Sequence, residues 1–134
     1  MTPPRSHTNE TQEDRVITLH GIPNCTTVKK ARAWLEEHGR PYAFHDFKKQ
    51  GVPEAALDQW IATLGWEPLV NRSGTTWRGL DDAAKAAVTD AASARALMLA
   101  HPSVIKRPIV QWGQAARQRL TVGYSDTLFS SQFD

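Results

Sequence analysis

Residues 16–46 carry the pattern that most restricts the fold: a short apolar run, a turn, an amphipathic stretch and a second short run. Val16, Ile17, Thr18 and Leu19 mix β-branched and apolar side chains and end at Gly21-Ile22-Pro23, which reads as a buried strand followed by a turn. From about Cys25 to His38 the residues Val28, Ala31 and Leu35, joined by Trp34, recur at helical spacing, with Asn24 as N-cap and Gly39 as the stop. Pro41 opens a second strand over 42–46, where Tyr42, Phe44 and Asp46 alternate with Ala43 and His45. A β-α-β unit of this spacing sets its strands parallel, joined by a right-handed crossover.

The middle of the chain reads as helical. Pro53 starts a helix whose stripe is Ala56, Leu57, Trp60, Ile61 and Leu64, ending at Gly65. Another turn of helix is expected near Leu69 and Val70, then a polar loop over 71–79. A short helix over 82–87 and a longer one over 90–100, capped by Thr89 and stopped near Pro102, follow. Residues 105–112 read as a loop entering a strand at Pro108, and 119–122 as a further strand. A last helix is expected after Ser125, with Asp126 in its first turn. The order β-α-β, helices, β-β, α is an α/β, thioredoxin-like plan with a helical insert and a mixed sheet. Residues 1–14 are polar and read as a loose tail, and 15–134 as one domain.

Composition removes several function classes. Hydrophobic residues at 40% and charged residues at 22% are globular values, so a disordered or fibrous chain is not expected. The apolar runs are too short to span a membrane, and the first 14 residues lack a signal-peptide core. Sixteen basic against 14 acidic residues, spread along the chain, make no electrostatic footprint for nucleic acid. His7, His20, His38, His45 and His101 show no metal-ligand spacing, so no metal is expected, and with no Gly-rich phosphate loop or Walker pattern no bound cofactor is expected either. Cys25 is the one cysteine. It cannot close an internal disulfide, and a reducing, cytoplasmic setting is expected.

Cys25 sits where the first strand hands over to the first helix. Unpaired N–H groups and the positive end of the helix favour thiolate over thiol there. The run Gly21-Ile22-Pro23-Asn24-Cys25-Thr26-Thr27-Val28-Lys29-Lys30-Ala31-Arg32-Ala33-Trp34-Leu35 resembles the start of the arsenate reductase and Spx (ArsC-like) family. Gly74-Thr75-Thr76-Trp77-Arg78, Thr89-Asp90-Ala91-Ala92-Ser93-Ala94 and Ile105-Lys106-Arg107-Pro108-Ile109 are similar to its YffB branch. The resemblance implies that Cys25 is the nucleophile. It implies that Arg107 lies beside the thiol and that Pro108 is the family's proline, usually cis. The chemistry suits these roles. An arginine stabilises a thiolate, and its planar fork fits an oxyanion or carboxylate. A cis X-Pro bond lies only about 0.5–1 kcal/mol above trans.

The chain departs from the family at several positions. Arsenate reductases carry a small polar residue, and Spx-type regulators often a second cysteine, where this chain has Val28. Near the end of the last strand, where arsenate reductases hold a further oxyanion arginine, Gly123 or its neighbours align, and Arg117 and Arg119 lie several residues upstream. Arg72 is the approximate counterpart of an arginine in the insert. The resemblance therefore implies a glutathione-dependent thiol–disulfide oxidoreductase before a strict arsenate reductase. A non-enzymatic Spx-type regulator, binding a protein such as RNA polymerase, is the further alternative. In the first scheme Cys25 attacks a disulfide and a glutathione resolves the mixed disulfide. Arg107 would hold a glutathione carboxylate, Lys29 would add positive potential, and Asn24 and Thr26 would donate hydrogen bonds near the sulfur. The expected partners are glutathione or a small thiol or disulfide, with no nucleic acid and no membrane.

Overall fold

A computed structural model describes residues 16–113 and 118–133. Four strands, β1 (Ile17–Gly21), β2 (Ala43–Asp46), β3 (Ile109–Trp112) and β4 (Arg119–Val122), form one sheet in the order β2-β1-β3-β4. β1 and β2 are parallel, with Leu19 opposite Phe44, and helix α1 (Thr26–Glu37) connects them. β3 runs antiparallel to both neighbours, with Val110 between Leu19 and Thr121. The sheet is mixed, as expected of a thioredoxin-like plan.

Alternation along β3 divides the core. Val110 and Trp112 face Val28, Ala31, Trp34 and Leu35 of α1, and Phe129 of the C-terminal helix. Trp112 stands edge-on to Phe129 at 4.9 Å, and its indole N–H donates to Thr121 Oγ1 at 2.8 Å. Ile109 faces the opposite way, into the insert. That insert holds α2 (Phe47–Gln50), α3 (Glu54–Leu64), α4 (Thr75–Arg78), α5 (Asp82–Ala86) and α6 (Ala91–Ala100). Leu57 and Trp60 of α3 and Ala94 and Met98 of α6 bury their side chains with Ile105, Ile109 and Leu120. The C-terminal helix, α7 (Asp126–Ser130), is capped by Ser125, whose hydroxyl accepts from Leu128 N–H at 3.0 Å.

Three local expectations need correction. Asn24 is not the cap of α1; Cys25 holds that position with extended backbone, because its own carbonyl accepts from Lys29 N–H at 2.9 Å. The span 71–79 is not all loop, since α4 forms inside it. An Asn71 turn, with Ser73 N–H on Oδ1 and Gly74 N–H on the carbonyl, aims the chain, and Trp77 packs against the insert core. Helix α6 is capped by Asp90, not Thr89. The Asp90 carboxylate accepts from Ser93 N–H at 2.9 Å while Ser93 Oγ accepts from Asp90 N–H at 3.0 Å, a reciprocal box one residue later in the chain. The proposed tail and Arg117 lie outside the described residues.

Two hydrogen bonds tie the insert to the segment before β3. Asn71 N–H donates to the Val104 carbonyl at 2.8 Å, and Lys106 N–H to the Leu69 carbonyl at 2.7 Å, flanking an antiparallel bridge between Val70 and Ile105. This bridge delivers Lys106 and Arg107 to the end of β1, where α1 begins.

Candidate functional site

The seat of the thiol starts with a glycine. A Cβ on Gly21 would stand 2.8 Å from Cγ2 of Val28, so only glycine lets the first turn of α1 lie this close to β1. Cys25, the residue before that turn, is half-buried. It makes no side-chain cap bond of ordinary geometry, yet the N–H groups of Val28 and Thr27 are turned to its sulfur. Burial pushes the thiol pKa up. The Val28 N–H, the Arg107 side chain as donor and as positive charge, and the Thr27 N–H together outweigh that, and the pKa lies below its ordinary value.

Arg107, just before β3, reaches the sulfur from a distant part of the chain. Its Nη1 donates to the Ser103 carbonyl at 2.9 Å and the Ile105 carbonyl at 3.4 Å, which orients the guanidinium. Its Nε is buried without a partner among the described residues. An unpaired buried donor costs about 1–3 kcal/mol, and an anion beside the guanidinium offsets it. The Arg107–Pro108 peptide bond is cis. Pro108 is buried, and its carbonyl accepts from Gly123 N–H at 2.9 Å, which ties the end of β4 to this corner.

Cys25 and Arg107 open on a cavity of about 480 Å³ that is also lined by Thr27, Asn71, Lys106 and Gly123. That volume suits a small organic ligand, for which sites run to about 300–1,000 Å³. No carboxylate lies among its lining residues. Tyr124 forms one wall, and its hydroxyl is committed to the Asp126 carboxylate. A second groove of about 660 Å³ lies beyond Tyr124, along Lys30 and Trp34 of α1 and His38 just after its end, and contains no thiol.

The structure thus brings together Cys25, Arg107 and the cis Pro108, residues far apart in the chain. It does not bring in the others. Asn24, Thr26 and Lys29 are exposed and outside the cavity lining, where Thr27 takes the place expected of Thr26. Arg72 is exposed too, with its guanidinium 5.8 Å from the Trp66 ring centre and 5.5 Å from that of Trp77. Arg119 hydrogen-bonds Gln132 instead. Sequence reasoning missed Lys106 and Asn71, although each adjoins a residue that it named. Lys106 stands over Gly123: its Cε lies 3.7 Å from where a Cβ on that glycine would be.

The ArsC family profile matches residues 20–130, which include both Cys25 and Arg107. The chain belongs to the ArsC family. An uncharacterized protein of Haemophilus influenzae is 37% identical over 119 residues, covering 88% of this chain and 99% of its own. The global transcriptional regulator Spx of Bacillus subtilis is 26% identical over 113 residues, covering 83% and 82%. Among solved structures, a YFFB protein is 44% identical with a TM-score of 0.80, over 88% of this chain and 99% of its own. A solution structure of an arsenate reductase (ArsC) related protein from Brucella melitensis is 46% identical with a TM-score of 0.67, over 88% and 94%. The ArsC family is thiol-oxidoreductase-like, and its members' names divide between reductases and the Spx regulators.

Proposed function

We propose that the protein is a single-cysteine thiol–disulfide oxidoreductase of the cytoplasm that uses glutathione as its co-substrate. The observation that carries this reading is the convergence of Cys25 and Arg107 on one open cavity, with the thiol pKa held below its ordinary value. Thiolate is the attacking form, so a lowered pKa raises the share of nucleophile at any given pH below it. Cys25 is the chain's one cysteine, so its mixed disulfide has to be resolved by a thiol from outside.

The steps balance as two exchanges. Cys25 thiolate attacks the glutathione sulfur of a mixed disulfide R–S–S–G, forming Cys25–S–S–G and releasing R–S⁻, which takes a proton from water. The thiolate of a second glutathione attacks the bound glutathione sulfur, giving oxidised glutathione and restoring Cys25 thiolate. Arg107 stabilises the thiolate before the first step and as the leaving group of the second. The net change is R–S–S–G plus glutathione to R–SH plus oxidised glutathione.

Strict arsenate reduction is the less favoured activity. Arg72 lies outside the cavity and Arg119 is engaged with Gln132, so the cations lining the cavity are Arg107 and Lys106. Losing one donor of an oxyanion clamp typically costs about 3–4 kcal/mol of charge stabilisation. The Spx relative supports a second reading, binding of a protein such as RNA polymerase, and Val28 means that any such regulator lacks an internal disulfide switch.

The test is glutathione-dependent reduction of the mixed disulfide of glutathione and 2-mercaptoethanol, run beside arsenate-dependent thiol consumption. The expected result is turnover of the disulfide, its loss in Cys25→Ser, and little arsenate-dependent rate. Full turnover by Cys25→Ser would end the scheme. Absent turnover, with RNA polymerase recovered equally by wild type and Cys25→Ser, would favour the regulator.

A further inference from the structure

Lys106 is the cavity residue that the exchange steps leave unused. We propose that its ammonium is the carboxylate anchor of the co-substrate site, selecting an acidic thiol such as glutathione over a neutral one; this deepens the thiol-transfer reading above and rests on it.

The division of labour between the two cations follows from their bonding. Arg107 spends Nη1 on the Ser103 and Ile105 carbonyls and hydrogen-bonds the Cys25 thiol, so its fork is turned to the sulfur and to the backbone. A carboxylate some way from the reacting sulfur needs another donor. Lys106 lines the same cavity, and its ammonium has no ion-pair partner among the described residues. Its stem passes beside Gly123, the residue after β4, at φ +87°: Cε lies 3.7 Å from where a Cβ on that glycine would be. The lysine backbone is fixed independently, through the bond from its N–H to the Leu69 carbonyl at 2.7 Å. The main chain that carries the ammonium is therefore in place before any ligand arrives, while the exposed side chain is free to follow it.

Charge balance points the same way. With Cys25 as thiolate, Arg107 is neutralised and Lys106 is left as the cavity's uncompensated cation, with no carboxylate in the lining to answer it. Glutathione carries carboxylates at both ends of the tripeptide, whereas 2-mercaptoethanol carries none. A carboxylate on an exposed lysine gains modestly in affinity and more in orientation. Lysine acts here as a movable point charge rather than a bidentate fork, which fits a flexible peptide ligand.

The experiment pairs binding with turnover. S-methylglutathione, which cannot react, is titrated by calorimetry, and KM is measured with glutathione or 2-mercaptoethanol as the reducing thiol. Lys106→Ala keeps the main-chain bond to Leu69. It should weaken S-methylglutathione binding and raise the KM for glutathione by about fivefold, with the effect fading at high salt. The KM for 2-mercaptoethanol should not follow, and Lys106→Arg should restore binding. Undiminished binding of S-methylglutathione by Lys106→Ala, no binding by wild type, or an equal rise in both KM values would overturn the anchor. Failure of wild type to turn over either thiol would overturn the thiol-transfer reading instead, while the binding arm still decides the role of Lys106.

Discussion

Gly21→Ala probes how the sulfur is positioned. The added Cβ would stand 2.8 Å from Val28 Cγ2, whereas carbon atoms in good contact stand about 3.5–4.0 Å apart. Roughly an ångström has to be found. Val28 cannot supply it by turning, because a β-branched side chain in a helix has one favoured rotamer and this one is fully buried. The first turn of α1 must move off β1 instead. Overpacking of this kind costs about 1–3 kcal/mol, which for a domain of this size lowers Tm by about 3–10 °C.

Val28→Ala alone removes two buried methyl groups and leaves a cavity, a loss of about 2–3 kcal/mol. In the double variant the methyl group that Gly21→Ala introduces fills part of that space. The two changes should then couple favourably by about 1 kcal/mol or more. Urea unfolding of the four proteins measures this, with equal m-values as the check on a shared unfolded state. Alkylation of Cys25 at fixed pH gives an independent readout, and it should slow in Gly21→Ala as the Thr27 and Val28 N–H groups withdraw from the sulfur. A wild-type Tm in Gly21→Ala, or strict additivity in the double variant, would refute the claim that this contact seats the thiol.

Two further substitutions address ionisation. Arg107→Ala should move the pH profile of Cys25 alkylation to higher pH, since it removes both a hydrogen bond and a charge that favour thiolate; an unmoved profile would remove Arg107 from the site's electrostatics. His20 is buried and neutral, its Nδ1 on the Ile109 carbonyl at 3.1 Å, and its pKa is pulled down to about 4 by burial, against that bond and with help from His45. The unfolded chain takes up a proton near the ordinary histidine value, so the contribution is whole above about pH 6.5 and falls away toward pH 4, by about 3 kcal/mol. His20→Phe should flatten that slope in chemical denaturation run across the window, and an unchanged slope would assign it elsewhere.

Much of the fold was legible because it rests on periodicity. Val28, Ala31 and Leu35 mark one face of α1, and the two flanking runs leave few ways to connect parallel strands. Helix α4 was hidden because its own residues are polar apart from Trp77, and what stabilises it is an Asn71 turn and the packing of that one ring. The Asp90 cap was displaced by one position because Thr89 and Asp90 are both good caps, and only Ser93 decides between them. In the site, Cys25 declared itself through the strand-to-helix boundary. Arg107 and Pro108 were reachable through family resemblance alone, since no local pattern says that they meet a thiol so distant in the chain. Lys106 and Asn71 escaped notice because a tertiary bridge, Val70 with Ile105, turns them into one cavity.

That bridge has a consequence for motion. The long excursion between β2 and β3 is stitched to the site by the amides of Asn71 and Lys106, so the cavity lies along a seam between the insert and the sheet. A ligand lodged there holds both sides of the seam together. Occupancy should therefore register as slowed hydrogen exchange at those two amides.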